Sequence, residues 1–149
     1  MSDLSHVDEE TGAVTMVDVG AKALSRREAT ARTVLEMAAA TAKRLSSLPK
    51  GDALQTAQLA GIMAAKRTSE LIPLCHQLPL SSVEVSLRVE EARVVITATA
   101  RTTAQTGVEM EALVAATIAA LTVYDMAKAI DKEMRLSEAV LVEKTKAPL

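Results

Sequence analysis

VEVSLRVEEARVVITATART, residues Val83–Thr102, decides the fold class. Val83, Val85, Leu87 and Val89 alternate with Glu84, Ser86, Arg88 and Glu90, the two-residue period of a strand with one buried and one wet face. Glu91-Ala92 can reverse the chain, and the β-branched residues Val94, Val95, Ile96, Thr97 and Thr99 favour an extended return over Arg93–Thr102. An antiparallel hairpin is predicted.

Downstream, Thr106 and Glu109 have capping-box spacing and open a predicted helix over Gly107–Ile130 whose centre is apolar on nearly every face. Such a helix must be covered on more than one side. Ala139–Val142 supplies a last strand. Upstream, Pro49-Lys50-Gly51 interrupts the chain and Asp52 caps a second, Ala-rich helix of about Ala53–Arg67. Ser25 and Glu28 repeat the capping-box spacing and predict a helix running to about Leu45, preceded by a short strand at Val14–Val19. The order β-αα-ββ-α-β is that of an α+β ferredoxin-like sandwich, an antiparallel sheet with helices packed on one face. Residues 1–149 are expected to form a single domain with a mobile N-terminal tail over 1–13.

Half of the 149 residues (49%) are apolar and 24% are charged, the balance of a soluble globular domain. Tyr124 is the only aromatic residue, so a flat heterocycle would lie on aliphatic or Met surface and be read by hydrogen bonds. Basic residues are in excess between Gly20 and Glu70, which suits an anionic ligand. A net charge of −2 and the lack of aromatic stacking platforms argue against nucleic acid. Cys75 is the only cysteine, which excludes an intramolecular disulfide and points to a reducing, cytoplasmic setting. The acidic N-terminus has no secretory h-region, and the apolar run Ala112–Tyr124 is shorter than the ~20 residues of a membrane span. Neither secretion nor membrane insertion is expected.

Several polar residues can carry chemistry. Asp125 and Lys128, three apart on a helix, form either a surface ion pair or an acid/base couple in which the carboxylate tunes the amine. Glu109 and Glu111 sit in a first helical turn, where carboxylates complement the dipole. Glu111 and Asp125 share a face but lie ~21 Å apart along the axis, so a site using both requires a second subunit. Lys50, in a Pro/Gly loop before a helix, is either a solvated lysine or a phosphate contact, without a Walker A pattern. Lys66-Arg67 complements a helix dipole or grips an anion. On an extended chain Cys75 and His76 point to opposite faces, which favours a structural thiol over an activated nucleophile. The only other histidine is His6, so no metal site is expected, and His76 is better suited to a ligand contact.

Met16-Val17-Asp18-Val19, Lys50-Gly51-Asp52, AGIMAAKRTSELIPLCH (Ala60–His76), TGVEMEAL (Thr106–Leu113) and AALTVYDMAKAIDK (Ala119–Lys132) together resemble the cyclic pyranopterin monophosphate synthase (MoaC) family of molybdenum cofactor biosynthesis. The resemblance covers most of the chain. It implies a ferredoxin-like subunit in a homo-oligomer, a hexamer built from dimers, with active sites at subunit interfaces. It also implies a lyase reaction converting the guanine-derived 3',8-cyclo-7,8-dihydroguanosine 5'-triphosphate to cyclic pyranopterin monophosphate and diphosphate, with no cofactor. By the same resemblance Asp125 and Lys128 are the central catalytic pair and Lys50 a catalytic or phosphate-binding lysine. Leu74, Cys75, His76, Glu109, Met110, Glu111 and Lys66 are expected to contact substrate. Two departures stand out: Gln77 follows His76 where the family usually has proline, and the chain stops at Lys144-Thr145-Lys146-Ala147-Pro148-Leu149 without the Gly/Ser/Lys-rich tail the family often has. Two rival readings are a non-catalytic nucleotide-binding regulatory module of the same fold and an RNA-binding module. The first leaves the joint occurrence of Asp125, Lys128, Lys50 and Glu109–Glu111 unexplained.

Overall fold

The computed structural model describes residues 6–149. Strand β1 (Ser25–Glu36) is followed by a helical turn, α1 (Ala39–Ala42), a 3-10 turn at Leu45–Ser47, helix α2 (Ala53–Ala65) and a short helix, α3 (Thr68–Leu71). The hairpin of β2 (Leu80–Glu90) and β3 (Arg93–Ala104) comes next, then the long helix α4 (Glu109–Ala127) and strand β4 (Arg135–Ala147). The sheet order is β2-β3-β1-β4 with every neighbouring pair antiparallel. Each helical connection therefore passes over one strand, which is the ferredoxin-like α+β arrangement.

The hairpin follows its alternation. Val85 opposes Ala98 and Leu87 opposes Ile96 on the helix-facing side, while Glu84 opposes Thr99 and Ser86 opposes Thr97 on the other. The N-terminal third departs from expectation. Ser25–Glu36 is not a helix but a central strand, paired over its length with β3 and over most of it with β4. Ala29, Ala31, Thr33 and Leu35 point into the core at alternate positions, a period of two that outweighs the capping-box spacing. The Ser25 hydroxyl accepts from Arg27 Nε at 2.7 Å, and Glu28 pairs with Arg101 on β3, so neither caps a helix. Val14–Val19 is not a strand either; Val14 makes one isolated bridge to Val7 across a turn at Gly12. Of the tail expected to be mobile, residues 1–5 lie outside the described residues. The second predicted capping box is also absent: Val108 is the residue before α4, with no side-chain cap, and Glu109 turns to Lys144 on β4.

The core lies between the sheet and the α2/α4 layer and is closed by Leu35, Leu45, Val94, Ile96, Val108 and Val123, all essentially inaccessible. With no Phe or Trp, tight approach replaces bulk. Gly61 shows how tight: a Cβ there would sit 2.8 Å from the Ala115 carbonyl oxygen and 3.0 Å from Val85 Cγ2. Along α4, Ala112, Ala115, Ala116, Ala119, Ala120 and Ala127 are buried, so α4 is a core helix although its length and hydropathy match those of a membrane span. Thr33, buried in the sheet, donates its hydroxyl proton to the Ala116 carbonyl at 2.9 Å, tying α4 to β1. Asp52 caps α2 by accepting from the Leu54 and Gln55 amides, as its sequence position predicts. Before it, Gly51 at φ +115° lets Pro49-Lys50-Gly51 turn back on Leu48.

Candidate active site

Apart from Lys66-Arg67, the residues singled out in the sequence fall into two groups at opposite ends of α4. Around its N-terminus, Glu109, Met110 and Glu111 meet the loop Leu74-Cys75-His76 and line a cavity of about 360 Å³. Thr106, Gly107 and Leu78 complete the floor, and the segment before β1 contributes Val17, Val19 and Lys22, with His6 at the margin. The loop curves because the Cys75 amide donates to the Ile72 carbonyl at 3.1 Å just beyond α3, so Cys75 and His76 both reach the cavity despite being adjacent. His76 Nε2 lies 2.7 Å from the Val17 carbonyl oxygen and holds the N-terminal segment against this wall.

The cavity electrostatics argue against a thiolate. Burial, and then the nearby Glu111 carboxylate, push the Cys75 thiol above its ordinary value, the opposite of an activated nucleophile. Burial likewise raises the Glu111 carboxyl, with Glu109 adding to the shift and a hydrogen bond from its own backbone amide opposing it. Glu111 is only 4% exposed, so a carboxyl raised by burial sits in the wall of a ligand-sized cavity. Among the described residues, no three His, Cys, Asp or Glu side chains converge as a metal site.

Gly107 and Glu109 also border a second hollow of about 230 Å³ lined by Arg27, Glu28, Lys144, Thr145 and Lys146. Lys144 Nζ lies 3.3 Å from Glu109 Oε1. Lys22, Arg27, Lys144 and Lys146 thus surround the cavity and its annex with cationic groups that sequence reading did not single out. The basic excess after Gly20 was the one signal for the first two. The lysines of β4 had none, because only the pairing of β4 with β1 brings them beside Gly107.

At the other end of α4, Asp125 lies between two ammonium groups. Its Oδ1 accepts from Lys128 Nζ at 2.8 Å and its Oδ2 from Lys50 Nζ at 3.0 Å, and Lys50 also reaches the Asp125 carbonyl at 3.3 Å. Lys128, and then Lys50, hold the Asp125 carboxyl below the ordinary aspartate value, and Asp125 in return raises Lys128. All three side chains are about half exposed, so the cluster faces outward. Lys66 joins neither group: it ends α2 as an exposed C-cap. Within one chain the cavity and the Lys50–Asp125–Lys128 cluster do not meet.

The sequence matches that of the MoaC family over residues 16–147. It is 56% identical over 149 residues to a cyclic pyranopterin monophosphate synthase of Roseiflexus castenholzii, covering 97% of this chain and 94% of that protein. It is 57% identical to the protein of that name from Oleidesulfovibrio alaskensis, covering 97% and 92%. To cyclic pyranopterin monophosphate synthase 2 of Mycobacterium tuberculosis it is 56% identical over 131 residues, 87% of this chain and 78% of that protein. With the hairpin, the ferredoxin-like sheet order and the motif-bearing segments gathered at the two ends of α4, these similarities establish that the chain belongs to the MoaC family.

Proposed function

We propose that this chain is a lyase of molybdenum cofactor biosynthesis that converts 3',8-cyclo-7,8-dihydroguanosine 5'-triphosphate to cyclic pyranopterin monophosphate and diphosphate. The observation that carries the mechanism is the Asp125 carboxylate clamped between Lys128 and Lys50. Opening a purine-derived ring and rebuilding it as a pterin requires several proton transfers. Lys128, its proton held by Asp125, is the acid at neutral pH, and Lys50 is the second catalytic cation, set on a loop that can follow the substrate. The cavity of Leu74, Cys75, His76, Met110 and Glu111 takes the guanine-derived ring system against aliphatic and Met surface. The cationic rim of Lys22, Arg27 and Lys144 suits the phosphates. No metal or organic cofactor enters this scheme.

The two groups lie ~21 Å apart along α4, too far for one small molecule to touch both in one chain. A working site therefore takes its cavity from one subunit and its Lys50–Asp125–Lys128 cluster from another. Leu59 and Met63 on α2 and Leu121 on α4 are 60%, 48% and 45% exposed, apolar surface that a second copy would cover. The assembly is a homo-oligomer, a hexamer built from dimers, working in the cytoplasm.

Incubation of the purified protein with the cyclic dihydroguanosine triphosphate should release diphosphate and pterin product. Lys128→Ala should remain folded and lower kcat by about 10²–10⁴-fold, the usual worth of a positioned acid. Tight binding without turnover by the unaltered protein would instead favour a regulatory nucleotide-binding module.

A further inference from the structure

Residues 6–24 run across the cavity with little to hold them. Between Asp8 and Leu24 only Val17 and Val19 are even half-buried, and the hydrogen bonds of this stretch are nearly all internal, such as Thr15 to His6 and Lys22 to Val19. Among the described residues the one hydrogen bond joining this strap to the rest of the fold is His76 Nε2 to the Val17 carbonyl, 2.7 Å across 59 residues of sequence. A carbonyl oxygen has no proton to offer, so Nε2 must carry the proton, and in the neutral ring Nδ1 is then a bare acceptor.

We propose that the Val17 carbonyl positions His76: it fixes the Nε2–H tautomer, so that the ring meets substrate as a hydrogen-bond acceptor at Nδ1 while the strap through Lys22 closes the cavity beside it. His76 then selects a ligand that presents an N–H or O–H donor at that point and disfavours one that presents an acceptor. A segment with so few buried contacts opens at low cost, so one strong hydrogen bond decides whether it is seated. The latch survives protonation of the ring, because Nε2–H is present in both charge states. Only the assignment of the cavity to substrate rests on the proposed function; tautomer and latch do not.

The protein contains two histidines, so ¹⁵N-histidine labelling gives two ring signals, which a His6→Gln variant assigns. Solid-state ¹⁵N spectra of the full-length protein at a pH where the rings are neutral should show His76 as the Nε2–H tautomer alone. An Nδ1–H ring or a mixture of tautomers would overturn the proposal. Lys22 is the only Lys or Arg within residues 6–24, so tryptic cleavage after it reports strap seating. His76→Ala should be cut several-fold faster than the unaltered protein. His76→Gln, whose amide N–H₂ can replace Nε2–H, should be cut at the unaltered rate while KM rises because the Nδ1 acceptor is lost. Equal cleavage of all three proteins would overturn the latch. Failure of the unaltered protein to turn over the triphosphate would count against the reaction alone, since tautomer and cleavage are read without substrate.

Discussion

Asp125 accepts hydrogen bonds from two ammonium groups at once, and this is the chemically most specific arrangement in the molecule. A lysine raised by a neighbouring carboxylate keeps its proton through the neutral range and loses it only in the alkaline range. Asp125→Asn weakens the charge-assisted hydrogen bond, and removes the charge, that raise Lys128, so its pKa falls toward that of an ordinary lysine. The alkaline limb of the kcat–pH profile should therefore move to lower pH, and an unmoved limb would remove Lys128 as the titrating acid. Of the site residues named from sequence, the structure gathers Leu74, Cys75, His76, Glu109, Met110 and Glu111 in one place and Lys50, Asp125 and Lys128 in another. Asp125 and Lys128 could be paired by helix spacing alone. Lys50 could not, because 75 residues and a turn at Gly51 separate it from Asp125. Lys22 was legible only as part of the basic excess after Gly20, since the cavity is built from three segments that only the folded chain brings together.

At the scale of elements, buried joints explain which parts hold the two groups in place. Gly61 is where α2 crosses α4. Gly61→Val would press a side chain onto the Ala115 carbonyl and Val85, lowering unfolding free energy by roughly 2 kcal/mol in a denaturant titration. Asp131, just beyond α4, is buried and accepts from the Ala38 amide at 2.9 Å, the Thr41 hydroxyl at 2.9 Å and the Glu133 amide at 3.0 Å. These bonds, that from Ala38 above all, hold its carboxyl below the ordinary value of 3.8. A carboxyl whose pKa falls on folding stabilises the protein above its unfolded pKa. That stabilisation is lost as pH drops through the lower folded value. Asp131→Ala should cost about 2–3 kcal/mol near neutral pH and flatten the loss of stability below pH ~4. The hairpin was legible because β2 keeps one wet face, so alternation survives in its side chains. β1 was not, because it is a central strand whose inward positions include Ala29 and Ala31, residues that favour a helix as readily as a buried strand. Its Ser25 and Glu28 then mimicked a helix start.

For the whole molecule, the length of α4 governs the function. It carries a ligand-sized cavity at one end and a two-lysine carboxylate clamp at the other, and the outer helix layer leaves Leu59, Met63 and Leu121 exposed. On the proposed function one subunit holds two halves of different sites, and closed symmetry would bring complementary halves together at each interface. The measurement that tests this most directly mixes two impaired variants, His76→Ala with an intact lysine cluster and Lys128→Ala with an intact cavity, co-expressed in equal amounts and assayed for diphosphate release and pterin formation at a substrate concentration too low for either variant alone to turn over appreciably. Half of the interfaces should be mixed, and each mixed interface should contain one complete site and one doubly defective site. Activity should therefore recover to on the order of a quarter of the unaltered protein. If the mixture stays as inactive as either variant alone while each variant folds and assembles normally, the shared site is contradicted.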